Sequence, residues 1–91
     1  MRKRVIILVS GIVQGVFYRD YTNKKAKKLG ITGFVKNETD GKVLAVAEGE
    51  EEKLKEFVKW VKKGPLLAQV EKIEVEWGKA KGEFTDFEIL Y

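Results

Sequence analysis

The feature that most restricts how this chain can fold is the order in which its apolar period switches between that of a strand and that of a helix. Arg4 to Ser10 has a near-continuous apolar centre, Val5-Ile6-Ile7-Leu8-Val9, which predicts a strand buried on both faces. The segment Asp20 to Leu29 follows, with Tyr18, Thr22, Ala26 and Leu29 at helical spacing and Lys24, Lys25, Lys27 and Lys28 on the solvated side. Gly30 stands where a left-handed residue ends a helix. Ile31 to Asn37 and Lys42 to Glu48 read as two further strands joined through Thr39-Asp40-Gly41, an Asp-Gly pair that favours a hairpin because both residues tolerate positive φ. From Glu50 to Lys63, Leu54, Phe57, Val58 and Val61 form one apolar stripe. Glu50, Glu51 and Glu52 open this helix and Lys59, Lys62 and Lys63 close it, the arrangement the helix dipole favours, before Gly64-Pro65 stops it. Ile73, Val75 and Trp77 then alternate with Lys72, Glu74 and Glu76 in a half-buried strand, and Phe87, Ile89 and Tyr91 alternate with Asp86 and Glu88 in a short last one.

This order, βαββαβ plus a short C-terminal strand, predicts an α+β fold, the ferredoxin-like split βαβ sandwich, with an antiparallel sheet and two helices on one face. A right-handed crossover returns the chain so that the first two strands run parallel. The loops after those two strands then lie at the same sheet edge, where their residues can converge on one ligand. A chain of 91 residues buries one modest core, so a single domain over 1–91 is expected. The apolar run Val5 to Val9 is far short of the roughly 20 residues that span a bilayer, and no signal-peptide pattern precedes it. A cytoplasmic protein without membrane contact is therefore expected. The surplus of Lys and Glu beside few Asn, Gln and Met resembles thermophilic usage.

The chain has no histidine and no cysteine, which excludes Ser-His-Asp triads, imidazole-bound zinc, phosphohistidine, disulfides and thiolate chemistry. Arg, Lys, amides, carboxylates, hydroxyls and backbone N–H groups remain. The first loop, Gly11-Ile12-Val13-Gln14-Gly15-Val16-Phe17-Tyr18-Arg19, leads directly into a helix, so it can aim several backbone N–H groups at one anion. Gly15 lets the backbone approach a phosphate, and Arg19 adds a planar fork for two of its oxygens. The second loop starts at Asn37, whose amide can accept a hydrogen bond from water while donating one to a phosphoryl oxygen. Taken singly, each feature also has a plainer role: a turn glycine, a solvated arginine, a turn-capping asparagine. Their convergence at one edge is what favours phosphoryl chemistry.

The segments Gly11 to Arg19 and Gly33 to Gly41 closely resemble the two signature motifs of the acylphosphatase family, G-x-V-Q-G-V-x-x-R and G-x-V-x-N-x-x-D-G. The resemblance continues through Leu29 to Gly33, Gly64-Pro65-Leu66, Val70, Trp77 and Phe87 to Tyr91. It implies a hydrolase of acid anhydrides that uses neither metal nor cofactor, takes an acyl phosphate and releases inorganic phosphate; the oligomeric state is left open, with a monomer favoured. It further implies that Arg19 binds the phosphate, that Asn37 orients the attacking water, and that the backbone of Gly15, Val16, Phe17, Tyr18 and Arg19 forms the phosphate cradle. Two departures stand out: Tyr18 where the motif commonly has Phe, and Glu38 after the asparagine, an acid that disfavours highly charged substrates.

The net charge of +4 also suits a nucleic acid. An RNA-binding sheet of this type needs exposed aromatics on its third strand, and Lys42 to Glu48 has none. A domain that binds phosphate esters without turning them over would use the same cradle, and only turnover separates it from an enzyme.

Overall fold

A computed structural model describes all 91 residues. The elements are β1 (Arg2–Ile12), α1 (Tyr18–Leu29), β2 (Thr32–Asn37), β3 (Val43–Glu50), α2 (Glu51–Lys63), β4 (Gln69–Lys79) and β5 (Phe87–Leu90). The sheet runs β4-β1-β3-β2-β5. β1 pairs antiparallel with β3 and β4, and β2 pairs antiparallel with β3. β1 and β2 are therefore parallel, as the element order predicts. β5 joins the sheet parallel to β2, which makes the sheet mixed.

Both helices cover one face, α1 over β2 and β5 and α2 over β1 and β3. Between the layers lie Val5, Ile7, Val9, Val35, Val43, Ala45, Ala47 and Phe87 from the sheet, with Tyr18, Ala26, Leu54, Phe57 and Val61 from the helices. Each large side chain buried there contributes roughly 1.5–3 kcal/mol. The helix ends follow the sequence pattern: Gly30 is left-handed and its N–H reaches the carbonyls of Ala26 and Lys27, and Gly64 donates to Trp60.

The structure corrects the reading of β1 as buried on both faces. Val5, Ile7 and Val9 are fully enclosed, whereas Ile6 and Leu8 are only half-buried on the opposite face. No helix covers that face, and Ile6 and Leu8 stand opposite Glu76 and Glu74 of β4 on one side and Val46 and Leu44 of β3 on the other. The hairpin connection runs from β2 at Asn37 to β3 at Val43, through the Thr39-Asp40-Gly41 segment. Glu38 N–H donates to the Lys42 carbonyl at 2.8 Å, and Gly41 alone in the turn has positive φ.

A carboxylate on the open face locates β5. Glu48 is fully buried and accepts hydrogen bonds from Arg4 Nη1 (3.0 Å), Lys81 N–H (2.8 Å) and Gly82 N–H (2.9 Å). Burial raises the Glu48 pKa, but the two backbone N–H bonds and the Arg4 guanidinium outweigh that effect and hold it below the usual carboxylate range. The loop so fixed brings Phe84 against Phe34 and hands the chain to β5, where the Asp86 carbonyl accepts from Gly33 N–H at 2.9 Å.

Candidate functional site

Because β1 and β2 run parallel, the loop after β1 and the hairpin after β2 meet at one edge of the sheet. Gln14 ties them together: its Nε2 donates to the carbonyls of Glu38 (2.7 Å) and Lys42 (2.9 Å). Sequence reasoning gave Gln14 no role of its own. Its place in the first motif marked it, but the two carbonyls it joins lie 24 and 28 residues away.

The loop reaches α1 through two left-handed residues, Gly15 (φ 75°) and Phe17 (φ 63°, ψ 25°). A side chain at position 15 would meet nothing within 4 Å, so the backbone angle is what calls for glycine there. No side chain caps α1, and the Phe17 carbonyl accepts the Tyr21 N–H at 3.0 Å. The N–H groups of Gly15, Val16, Phe17, Tyr18 and Arg19 have no acceptor within the protein. Free N–H groups at a helix N-terminus, at the positive end of its dipole, are suited to an anion.

Gly15, Phe17, Tyr18, Arg19 and Asn37 line a single cleft of about 290 Å³. Arg19 makes no ion pair. Its Nη1 donates to the Leu90 carbonyl at 3.3 Å, and its guanidinium lies 4.8 Å from the centre of the Tyr91 ring. The cation is thus held in place by a carbonyl and an aromatic face, neither of which neutralises it. Asn37 closes β2, and its buried side-chain Oδ1 has no hydrogen-bond partner. An unsatisfied buried acceptor costs about 1–3 kcal/mol. The one acidic side chain lining the cleft is Asp20, paired with Lys24 at 3.1 Å, and nowhere does the fold gather three or more acidic side chains that could hold a metal ion.

The remaining predicted residues divide by what faces the cleft. Val16 packs partly against the core, leaving its backbone to the loop. Tyr18 is 1% exposed, and its hydroxyl donates to the Val61 carbonyl of α2, so its phenol joins the two helices and only its backbone serves the loop. Burial raises its pKa well above the ordinary tyrosine value. Glu38 gives its carbonyl to Gln14, but its carboxylate sits 3.7 Å from Lys36, and the residue lines a cavity on the open sheet face with Ile6, Leu8 and Leu44. The expected repulsion of charged substrates by Glu38 therefore has no basis in contact with the cleft. Ile89 and Tyr91, which complete one wall, were read from sequence only as strand residues.

A protein-family model described as Acylphosphatase matches residues 5–89. An acylphosphatase from Pelotomaculum thermopropionicum is 43% identical over 90 residues, covering 99% of this chain and 98% of that one. An acylphosphatase from Rubrobacter xylanophilus is 49% identical over 87 residues, covering 96% of this chain and 79% of that one. Among solved structures, the acylphosphatase from Bacillus subtilis superposes with a TM-score of 0.94 at 37% identity, covering 98% of this chain and 99% of that one.

Proposed function

This chain belongs to the acylphosphatase family, and from that premise we propose that its cleft hydrolyses acyl phosphates by direct attack of a water molecule on phosphorus. The family and fold support an acylphosphatase hydrolase. The division of labour between residues is our reading of the geometry. What carries it is the meeting, in one cleft, of a row of free backbone N–H groups, an unneutralised Arg19 and the unsatisfied Asn37 Oδ1.

In this reading the phosphoryl oxygens sit against the N–H groups of Gly15 to Arg19, with the Arg19 fork on two of them. Asn37 Oδ1 accepts a hydrogen bond from the attacking water and aligns its oxygen with phosphorus. A bond forms between the water oxygen and phosphorus while the bond from phosphorus to the acyl oxygen breaks, and its electron pair leaves with the carboxylate. Both protons of the water end on the phosphate, so an acyl phosphate dianion and water give a carboxylate anion and dihydrogen phosphate. The leaving carboxylate needs no protonation, and the phosphate takes the protons itself. Histidine is therefore dispensable. Catalysis then consists of positioning and of stabilising charge on the equatorial oxygens, the usual requirement for phosphoryl transfer.

The test is hydrolysis of benzoyl phosphate, followed by its ultraviolet absorbance in excess EDTA, for wild type and Asn37→Ala. Rapid EDTA-resistant turnover in wild type, with kcat lowered far more than KM is raised in the variant, is the expected result. A wild type that binds phosphate but turns over no acyl phosphate would make the cleft a phosphate-binding site only.

A further inference from the structure

The structure also points to which acyl groups this site takes. On the footing of the acylphosphatase reading above, we propose that the Phe17 side chain is the acyl-binding wall, selecting acyl phosphates with an uncharged aromatic acyl group over small or anionic ones.

Three local rules are broken at this one residue. Phe17 is the sole non-glycine residue with positive φ, at 63°, where the Cβ of an L-residue is strained and glycine or asparagine would not be. It occupies the N-cap of α1, a place for Ser, Thr, Asp or Asn, and offers that helix no side-chain hydrogen bond. The residue is 75% exposed, so burial returns little of what the strained backbone costs. An outlier that neither the helix end nor the core accounts for is a mark of a ligand-facing position.

Its surroundings name the ligand chemistry. Phe17 lines the same cleft as the free N–H groups, and the cleft's other apolar members are Val13, Tyr18, Ile89 and the exposed Tyr91. The Tyr91 ring already holds the Arg19 guanidinium, so the cation expected to take the phosphate is flanked by apolar surface. With Arg19 and Asn37 committed to phosphoryl chemistry and Asp20 paired with Lys24, the cleft lining offers no second cation to an acyl group bearing its own carboxylate.

The experiment compares kcat/KM for benzoyl, acetyl and succinyl phosphate in wild type, Phe17→Gly and Phe17→Leu, with Tm measured for each protein. Wild type should favour benzoyl phosphate and be weakest on succinyl phosphate. In F17G the benzoyl-to-acetyl ratio should fall roughly 3- to 10-fold, the range an aromatic contact supplies, with F17L between the two. Comparing ratios between variants cancels the intrinsic reactivity of the substrates. The Tm of F17G should be no lower than that of wild type, because glycine adopts the left-handed conformation without strain. An unchanged ratio in F17G overturns the proposal while leaving the acylphosphatase reading intact, as does a lowered Tm with an unchanged ratio, the signature of a packing residue. Succinyl phosphate turned over as well as benzoyl phosphate overturns it too. A wild type inactive on all three substrates overturns the acylphosphatase reading and this proposal together.

Discussion

Arg19 shows how a side chain's surroundings decide its use. A surface arginine ordinarily finds a carboxylate, yet this one rests on the Leu90 carbonyl and the Tyr91 ring and keeps its full charge for a ligand. Arg19→Ala should lower kcat/KM for an acyl phosphate by at least about 100- to 1,000-fold, as losing one donor to developing negative charge does. Lysine, a point charge without the planar fork, should restore only a small part. Inorganic phosphate at about 100 times its Kd should stabilise wild type by roughly 2.7 kcal/mol, and a thermal melt should show that protection largely gone in Arg19→Ala. Equal protection in both proteins would remove Arg19 from the site. The position of Arg19 in the first motif was readable in the sequence; its freedom from carboxylates was not, because that depends on β5, more than 60 residues further on.

At the level of elements, the site exists because two loops from different strands are held in register. Gln14 does this by bonding both carbonyls that flank the hairpin turn. Gln14→Ala removes both bonds, at about 0.5–1.5 kcal/mol each, and frees the hairpin to drift from the helix N-terminus. A displacement of about 1 Å between reacting groups can cost on the order of 100-fold in rate. Gln14→Ala should therefore reduce kcat by about tenfold or more while lowering Tm by only several degrees, measured by steady-state kinetics and calorimetry. A fall in Tm without a fall in kcat would make Gln14 a loop fastener only. The element order and the helix stripes were legible because periodicity is local. The second face of β1 was misread for the complementary reason: an apolar run does not say which of its faces a helix will cover.

For the molecule as a whole, Glu48 is the group through which pH acts on stability. Its carboxyl lies below the ordinary 4.5 when folded, so its stabilising contribution is complete above about pH 4.5 and is lost as pH falls through the folded value. Asp86 acts in the same direction, lowered by the Phe87 N–H and by Lys27. Glu48→Gln should cost about 1.5–3 kcal/mol at neutral pH, and urea midpoints across pH 2 to 7 should fall less steeply in the variant than in wild type at the acid end. Parallel curves would mean that other carboxylates govern acid unfolding. By itself the sequence determined the succession of strands and helices, the core faces of the helices, and, through two motifs, the residues at the edge where the loops meet. Periodicity, capping and turn chemistry are short-range, and the element order left one way to place both loops together. Only the tertiary structure decided that β5 lies parallel to β2, that Glu48 fastens the loop before it, that the Tyr18 hydroxyl donates to the Val61 carbonyl of α2, and that Phe17 and Tyr91 stand exposed at the cleft. Each of these rests on contacts between residues far apart in the chain, whose energies depend on distances and burial that no local pattern encodes.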